Sequence, residues 1–323
     1  MIESRDAGLY CEAGNFYIDP WSPVERAVIT HAHADHAHPG SQSYVAARDG
    51  EALLRARVGD GAFIQVAEYG ERIAMGEVTV SLHPAGHILG SAQVRIERGG
   101  EVWGFSGDYK LAPDPTCAPF ERLQCHTFVT ESMFALPIYR WPAESEIAAE
   151  MLAWWRANRE AGVTSVLFAN PLGEAQRVLA MLGAMLSAAD GAIYAHEAVE
   201  RYSAIYRAQG IALRTMDEAS PGALVVAPAS AIGSQWLKQF GTISTAMASG
   251  WMRIRGTRRR RSLDRGFVLS DHADWPALLA AIDATQAEMV LATGGNRAAL
   301  ARWLTEHGRR AGVIETHFDG GEE

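Results

Sequence analysis

The sequence predicts an α/β protein in which one domain interrupts another. Up to about residue 140, short β-rich runs alternate with turns that carry Gly, Asp or Pro, and helical periodicity is confined to residues 50–59. From about residue 144, apolar strands alternate with amphipathic helices, which is typical of a parallel sheet flanked by helices. We therefore expect a flanking domain formed by residues 1–140 and 256–323, and an inserted α/β domain formed by residues 141–255.

The individual elements follow from the spacing of apolar residues. The predicted strands cover residues 24–30, 63–69, 77–83, 92–98, 101–107, 127–130, 164–171, 192–196, 223–228, 266–270 and 288–293. The predicted helices cover residues 50–59, 144–162, 173–189, 197–210, 275–285 and 297–308.

Composition narrows the class of protein. A chain of 323 residues with 48% hydrophobic residues can bury one large or two ordinary cores. Because no apolar run reaches the ~18–20 residues of a membrane helix and the first residues do not resemble a signal peptide, we expect a cytoplasmic protein without membrane contact. The net charge of −9 argues against indiscriminate coating of nucleic acid. Cys11, Cys117 and Cys125 are odd in number and form no CxxC pair, so we expect reduced thiols.

The segment HAHADH at residues 31–36 is the strongest functional motif, and it directly follows the apolar run 27–30. Three imidazoles and a carboxylate converge at a strand end when a metal ion binds them, and this ligand set suits Zn²⁺, Mn²⁺ or Fe²⁺. Two further ligand types follow where β-rich runs meet Gly-containing turns, namely His87 in PAGHILGSA and Asp108 in FSGDYK. A polar surface loop with chance histidines is the alternative interpretation.

In this order the residues resemble the metallo-β-lactamase superfamily, which implies an αββα sandwich that holds one or two divalent ions, Zn or Mn. The resemblance assigns the ligands in three groups. The first ion would take His31, His33 and His87, the second would take Asp35 and His36, and Asp108 would bridge the two ions. Asp19 matches an early aspartate of the family that supports the ligand loop without touching the metal. A plain structural turn is the alternative for Asp19.

Two further positions resemble the first motifs of the β-CASP nucleases, whose inserted α/β domain corresponds to residues 141–255. Glu131 ends the strand 127–130, and His272 lies in the sequence SDHAD after the strand 266–270. The resemblance implies a catalytic group of Asp35, Glu131 and His272, in which His272 protonates the leaving oxygen and Glu131 positions it. The segment LGEAQR at 172–177 also resembles a turn of that domain. For His272 the alternative is a helix-capping or core histidine, and for Glu131 it is a sheet-end or helix-capping carboxylate.

Longer segments, 8–40, 105–123, 248–261 and 266–275, resemble a bacterial β-CASP subgroup, the ligase-associated DNA exonucleases, also labelled mRNA 3′-end processing factors. This implies a DNA exonuclease in DNA repair that is functionally associated with a DNA ligase and a helicase. A ribonuclease in RNA 3′-end processing and a DNA-binding scaffold with a degenerate metal site remain alternatives. A small-molecule hydrolase would not need the inserted domain. RNA-processing relatives carry a third-motif histidine where Gly294 stands in this chain, which favours DNA and predicts a weaker second metal site.

An arginine-rich loop is the candidate nucleic-acid contact, because guanidinium groups bind phosphate oxygens in pairs. Its members are Arg253, Arg255, Arg258, Arg259, Arg260, Arg261 and Arg265, and Lys110 next to the metal motif is added to the predicted contacts. A solvated charge run is the alternative. Trp154 and Trp155 could stack on bases, but their helical setting favours core or interface packing.

Overall fold

The structure is a computed structural model that describes residues 1–187, 190–215, 222–254, 256 and 262–317. The chain divides into two compact units, one formed by Met1–Tyr139 with the part that begins at His272, the other by Arg140–Asp271. The predicted inserted domain ended at residue 255. The second unit runs further because the strand Arg265–Phe267 pairs in parallel with Ile243–Ala248. The expected α/β class is confirmed.

Short strands and longer helices make up the described part of the chain. The helices are α1 (Glu51–Val58), α2 (Glu144–Glu160), α3 (Glu174–Gly183), α4 (Glu197–Ala208), α5 (Trp275–Thr285) and α6 (Arg297–Glu306). The strands are β1 (Ile2–Arg5), β2 (Gly8–Cys11), β3 (Phe16–Ile18), β4 (Arg26–Val28), β5 (Ser43–Ala47), β6 (Ile64–Ala67), β7 (Ile73–Met75), β8 (Val78–Pro84), β9 (Ala92–Arg98), β10 (Glu101–Phe105), β11 (Thr127–Glu131), β12 (Thr164–Phe168), β13 (Ile193–Ala195), β14 (Leu224–Ala227), β15 (Ile243–Ala248), β16 (Arg265–Phe267), β17 (Met289–Thr293) and β18 (Ala311–Val313).

The first unit contains two sheets. One has the strand order β1-β2-β3-β4-β5-β6, and the other has the order β18-β17-β11-β10-β9-β8-β7. Strand β8 shows why the second sheet forms, since Val78, Val80 and Leu82 alternate along it and all are buried. They join a core cluster with Ile18 and Val28 of the first sheet. The two sheets therefore bury their apolar faces against each other.

Helices cover the outer faces of both sheets. On the second sheet, Leu278 and Ile282 of α5 belong to one buried cluster with Phe128 of β11. On the first sheet, Leu54 of α1 lies in a cluster with Tyr44 of β5. The first unit thus has four layers in the order helix, sheet, sheet, helix.

The second unit is built around a parallel sheet of order β13-β14-β12-β15-β16. Its central strands are apolar on both faces, as expected for a parallel sheet covered on two sides. The tryptophans of α2 are buried, with Trp155 donating a hydrogen bond to the carbonyl oxygen of Gly222 at 2.9 Å and Trp154 to Ser244 Oγ at 3.2 Å. Core packing of both tryptophans is confirmed.

Candidate metal centre

The predicted ligands lie at one edge of the two sheets of the first unit. Strand β4 runs parallel to β3, so Asp19 after β3 and the segment 31–36 after β4 leave the first sheet on the same side. In the second sheet, β8, β10 and β11 share one direction, because β9 is antiparallel to both β8 and β10 and β11 is parallel to β10. His87, Asp108 and Glu131 follow or end these strands. The topology therefore gathers side chains that are far apart in sequence.

One cluster contains His31, His33, His87 and Asp108, whose potential ligand atoms all lie within 4.8 Å of one another. The Nδ1 atom of His33 is 3.1 Å from Nε2 of His87. The Oδ2 atom of Asp108 is 3.4 Å from Nε2 of His31 and 3.9 Å from Nε2 of His87. All three histidines are buried.

A second cluster shares the same carboxylate. Nε2 of His36 lies 3.4 Å from Oδ2 of Asp108 and 3.7 Å from Oδ2 of Asp35. Asp108 Oδ2 is therefore equally close to one histidine of each cluster, His31 and His36. A shared carboxylate oxygen of this kind is able to bridge two ions.

The spacing of the donor atoms fits a metal ion. Tetrahedral zinc with bonds of about 2.0–2.1 Å to nitrogen separates neighbouring ligand atoms by about 3.3 Å. The separations of 3.1 Å between His33 and His87 and 3.4 Å between His31 and Asp108 are close to that value. Within the described residues, the buried Nε2 atom of His31 has no hydrogen-bond partner. Buried polar atoms rarely stay in that condition unless another group satisfies them, so the cluster fits a divalent ion.

Asp19 is fully buried and organises the histidine segment. Its Oδ1 atom accepts a hydrogen bond from the backbone nitrogen of Thr30 at 2.8 Å. Its Oδ2 atom accepts from Thr30 Oγ1 at 2.5 Å and lies 2.8 Å from Nδ1 of His36. With Nδ1 of His36 engaged in this way, Nε2 faces Asp35 and Asp108. The backbone of Asp19 has φ 41°, a left-handed conformation that non-glycine residues seldom adopt.

Glu131 and His272 form a buried pair in the first unit. Oε2 of Glu131 lies 2.9 Å from Nδ1 of His272, and Oε1 accepts a hydrogen bond from the backbone nitrogen of Tyr109 at 2.8 Å. The ring centroid of His272 is 4.7 Å from that of His87. Asp108, Glu131 and His272 also bring potential ligand atoms within 4.8 Å of one another. The pair therefore adjoins the first cluster.

Burial and neighbouring charges shift the pKa values of three groups in the centre, His31, His36 and Asp108, in different directions. Burial, followed by the neighbouring His36, lowers the pKa of His31 well below its ordinary value. Burial also acts to lower the pKa of His36, but the carboxylates of Asp108 and Asp35 outweigh it and raise that pKa well above the ordinary value. For Asp108, burial acts upward, yet His36 and then His272 hold the pKa well below the usual range. The carboxylates thus create a place for positive charge.

The pKa values of the two supporting carboxylates are raised. Burial raises the pKa of Asp19, although the hydrogen bonds with His36 and Thr30 act in the opposite direction. Burial also raises the pKa of Glu131, and Asp108 adds to this effect while His272 opposes it. Both carboxylates therefore depend on their donors to remain ionised.

Two glycines allow the ligand loops to approach closely. Gly107 precedes Asp108, has φ 56°, and would place a side-chain Cβ 2.8 Å from the Cβ of Thr30. Gly90 closes the His87 loop with φ 74°, and a Cβ there would lie 2.1 Å from Gly50 Cα. Any larger residue at either position would push the loops apart.

The remaining predicted residues are placed as follows. Lys110 is buried, with 3% of its surface exposed. Arg253 is exposed at the end of a short 3₁₀ helix. The Nη2 atom of Arg265 lies 3.7 Å from Oε2 of Glu150. Arg255 and the arginines at 258–261 lie outside the described residues, so the loop stays a prediction. Gly294 follows β17 with φ 67°. Cys11 and Cys125 are buried, and Cys117 is partly exposed; no disulfide links these cysteines in the described part of the chain.

Sequence reasoning did not single out Thr30 or Tyr109. Thr30 contacts both Asp19 and His31 through one hydroxyl, and Tyr109 holds Glu131 through its backbone nitrogen. A hydroxyl residue directly before the first histidine was the available signal for Thr30. No signal marks Tyr109, since a backbone donor carries no residue preference.

Comparisons with known proteins give a relative and a fold. The chain is 29% identical over 314 residues to a protein of Opitutus terrae named probable DNA ligase; the match covers 95% of this chain but only 30% of that protein. No protein-family model matches the sequence. The crystal structure of a protein of unknown function from Enterococcus faecalis V583 is similar to this one, with a TM-score of 0.56 and 10% sequence identity. The match covers 91% of this chain and 80% of that chain. Among the described residues, no helix has the length and hydropathy needed to cross a membrane.

Proposed function

We propose that this chain is a metal-dependent phosphodiesterase that cleaves DNA as an exonuclease and belongs to the β-CASP branch of the metallo-β-lactamase superfamily. The observation that carries the proposal is the position of Asp108 Oδ2, 3.4 Å from Nε2 of both His31 and His36, beside the Glu131–His272 pair. The four layers of the first unit and the separate parallel-sheet unit support the fold assignment.

The residues divide the chemistry between them. Divalent ions, when bound, would lower the pKa of water and neutralise the oxygens of a phosphodiester. His31, His33, His87 and Asp108 would hold one ion, and Asp35, His36 and Asp108 a second. Because Glu131 engages Nδ1 of His272, a proton delivered to the leaving oxygen would depart from Nε2. The negative charge of Glu131 stabilises the imidazolium that donates this proton.

Two observations support DNA as the substrate. The relative in Opitutus terrae is named a probable DNA ligase, and this chain spans about 30% of its length. Charge is also unevenly distributed: residues 140–271 contain 15 Arg and Lys against 12 Asp and Glu, a net of +3, so the rest of the chain carries −12 and the total is −9. A basic unit in an acidic chain suits a polyanionic substrate. Functional association with a ligase and a helicase stays a prediction.

The test is digestion of end-labelled single- and double-stranded DNA and RNA of the same sequence, with Zn²⁺, Mn²⁺ or Mg²⁺ supplied after chelation. We expect release of labelled mononucleotides from DNA, faster than from RNA, with none in excess chelator or with Asp108→Asn. Faster release from RNA would replace DNA with RNA as the substrate. Undiminished cleavage in chelator would contradict a metal-dependent reaction.

A further inference from the structure

Thr30 lies between strand β4 and His31 and touches every ligand-bearing segment of the centre. Its carbonyl oxygen accepts a hydrogen bond from Ala92 N at 2.8 Å, just beyond the His87 loop. Gly107, which precedes Asp108, lies against its side chain. Its hydroxyl contacts Asp19 and His31, and the residue is 1% exposed. Thr30 thus lies where four segments meet, and it contacts three of them through its side chain and one through its backbone carbonyl.

The hydrogens in this contact are determined by the donors available. Oγ1 of Thr30 has one hydrogen, and at 2.5 Å it is donated to Oδ2 of Asp19, which as a carboxylate only accepts. At 2.9 Å from Nδ1 of His31, the same oxygen can then act only as an acceptor. Nδ1 of His31 must therefore carry the ring hydrogen, and Nε2 must carry the lone pair.

The consequence reaches the ion-binding atoms. Nε2 of His31 is the atom that lies 3.4 Å from Oδ2 of Asp108. A histidine binds a metal through the nitrogen that lacks hydrogen, and the hydrogen bond at the other nitrogen decides which one that is. Asp19 acts on His36 directly and on His31 through Thr30.

We propose that Thr30 is a positioning residue that fixes His31 in the Nδ1–H tautomer and so directs its Nε2 lone pair into the metal centre, with Asp19 anchoring both His31 and His36. This rests only on the metal-binding part of the proposed function, and it requires no assumption about the substrate. Thr30 supplies direction as well as volume, because valine has the same shape but can neither donate to Asp19 nor accept from His31.

The first measurement is the tautomer of His31 in zinc-depleted protein, read from ¹⁵N–¹H long-range correlations of the imidazole rings. We expect the Nδ1–H form in the wild type and in Thr30→Ser, which keeps the hydroxyl. In Thr30→Val we expect loss of that single form in favour of the Nε2–H form or a mixture. An Nε2–H tautomer in the wild type, or an unchanged Nδ1–H form in Thr30→Val, would overturn the proposal.

The second measurement is zinc affinity by chelator competition. Loss of a hydrogen bond that orients a ligand typically reduces affinity about 10–100-fold, so we expect this loss in Thr30→Val and near wild-type affinity in Thr30→Ser. Thr285→Val is the matched control, because Thr285 is a buried threonine of the same unit whose hydroxyl donates to Ile282 O at 2.7 Å. An equal loss of affinity in Thr285→Val and Thr30→Val would overturn the positioning role. Absence of DNA cleavage would contradict the proposed function alone.

Discussion

The pair formed by Glu131 and His272 allows a quantitative prediction. Glu131 uses one oxygen for His272 Nδ1 at 2.9 Å and the other for Tyr109 N at 2.8 Å. In Glu131→Gln, the amide oxygen can still accept from Tyr109, which leaves the amide NH2 group facing Nδ1 of His272. Because an amide NH2 group only donates, the charge-assisted bond with His272 is lost. Such a bond contributes about 1.5–3 kcal/mol, and about 1.4 kcal/mol corresponds to a factor of ten. We therefore expect kcat to fall roughly 10- to 150-fold.

His272→Ala should lower kcat further, by roughly 10²–10⁴, because it would remove the proposed proton donor itself. The double variant should be no slower than His272→Ala alone, since Glu131 acts through His272. Single-turnover cleavage of end-labelled DNA at saturating metal measures all three rates, and thermal unfolding checks that each variant is folded. Losses that multiply in the double variant would refute a positioning role for Glu131.

Three further predictions concern other parts of the chain. Replacing the arginines at 258–261 by alanine should weaken DNA binding and reduce the slope of log K against log salt, since each phosphate contact releases counterions; an unchanged slope would make the loop a solvated surface. The control replaces four exposed, carboxylate-paired arginines of the first unit, namely Arg48, Arg72, Arg98 and Arg302. Gly294→His should lower Tm by roughly 2–8 °C without tightening a second ion, because φ 67° costs a non-glycine residue about 1–2 kcal/mol. Gly308→His is the control for backbone strain, because Gly308 has φ 79° and open space around it. Tighter metal binding in Gly294→His but not in Gly308→His would contradict this prediction. Burial raises the pKa of Cys125 to about 11, so only about one Cys125 thiol in a thousand is ionised at pH 8. We therefore expect the partly exposed Cys117 to react first with a disulfide reagent. Equally fast modification of Cys125 would contradict its burial.

Much of the fold follows from local sequence pattern, because apolar spacing reports which face of an element is buried. Helices α2, α4 and α5 begin at the predicted residues, and β9 has the predicted bounds. Strand β15 was missed although it lies inside the sheet of the second unit, since ISTAMA has neither alternation nor a run of β-branched residues. The extent of the second unit was missed for the same reason, because β16 pairs with β15.

In the candidate site, too, the residues that form a local motif could be predicted from the local sequence, and those brought together only by the tertiary structure could not. The segment 31–36 can be recognised as a metal-binding motif from the sequence alone, because three histidines and an aspartate lie within six residues. The contact between Glu131 and His272 spans 141 residues, so only the resemblance to a family, and no local pattern, suggested it. The position of Thr30 directly before His31 is only a weak signal, because a threonine at a strand end is ordinary and its role depends on two hydrogen bonds that only the tertiary structure supplies. A histidine ligand at position 294 would require a backbone that other residues adopt easily, and φ 67° does not meet that condition.

Metal analysis tests the central claim most directly. We predict that the purified protein, dialysed without added metal, retains one divalent ion per chain at His31, His33, His87 and Asp108. A second, weaker ion should bind on titration, because Asp35, His36 and Asp108 offer one ligand fewer. The Asp108→Ala variant should not bind the second ion, and its affinity for the first ion should be lower than that of the wild type. A wild-type protein that takes up no divalent ion, or an Asp108→Ala variant that binds two ions as tightly as the wild type, would contradict the account.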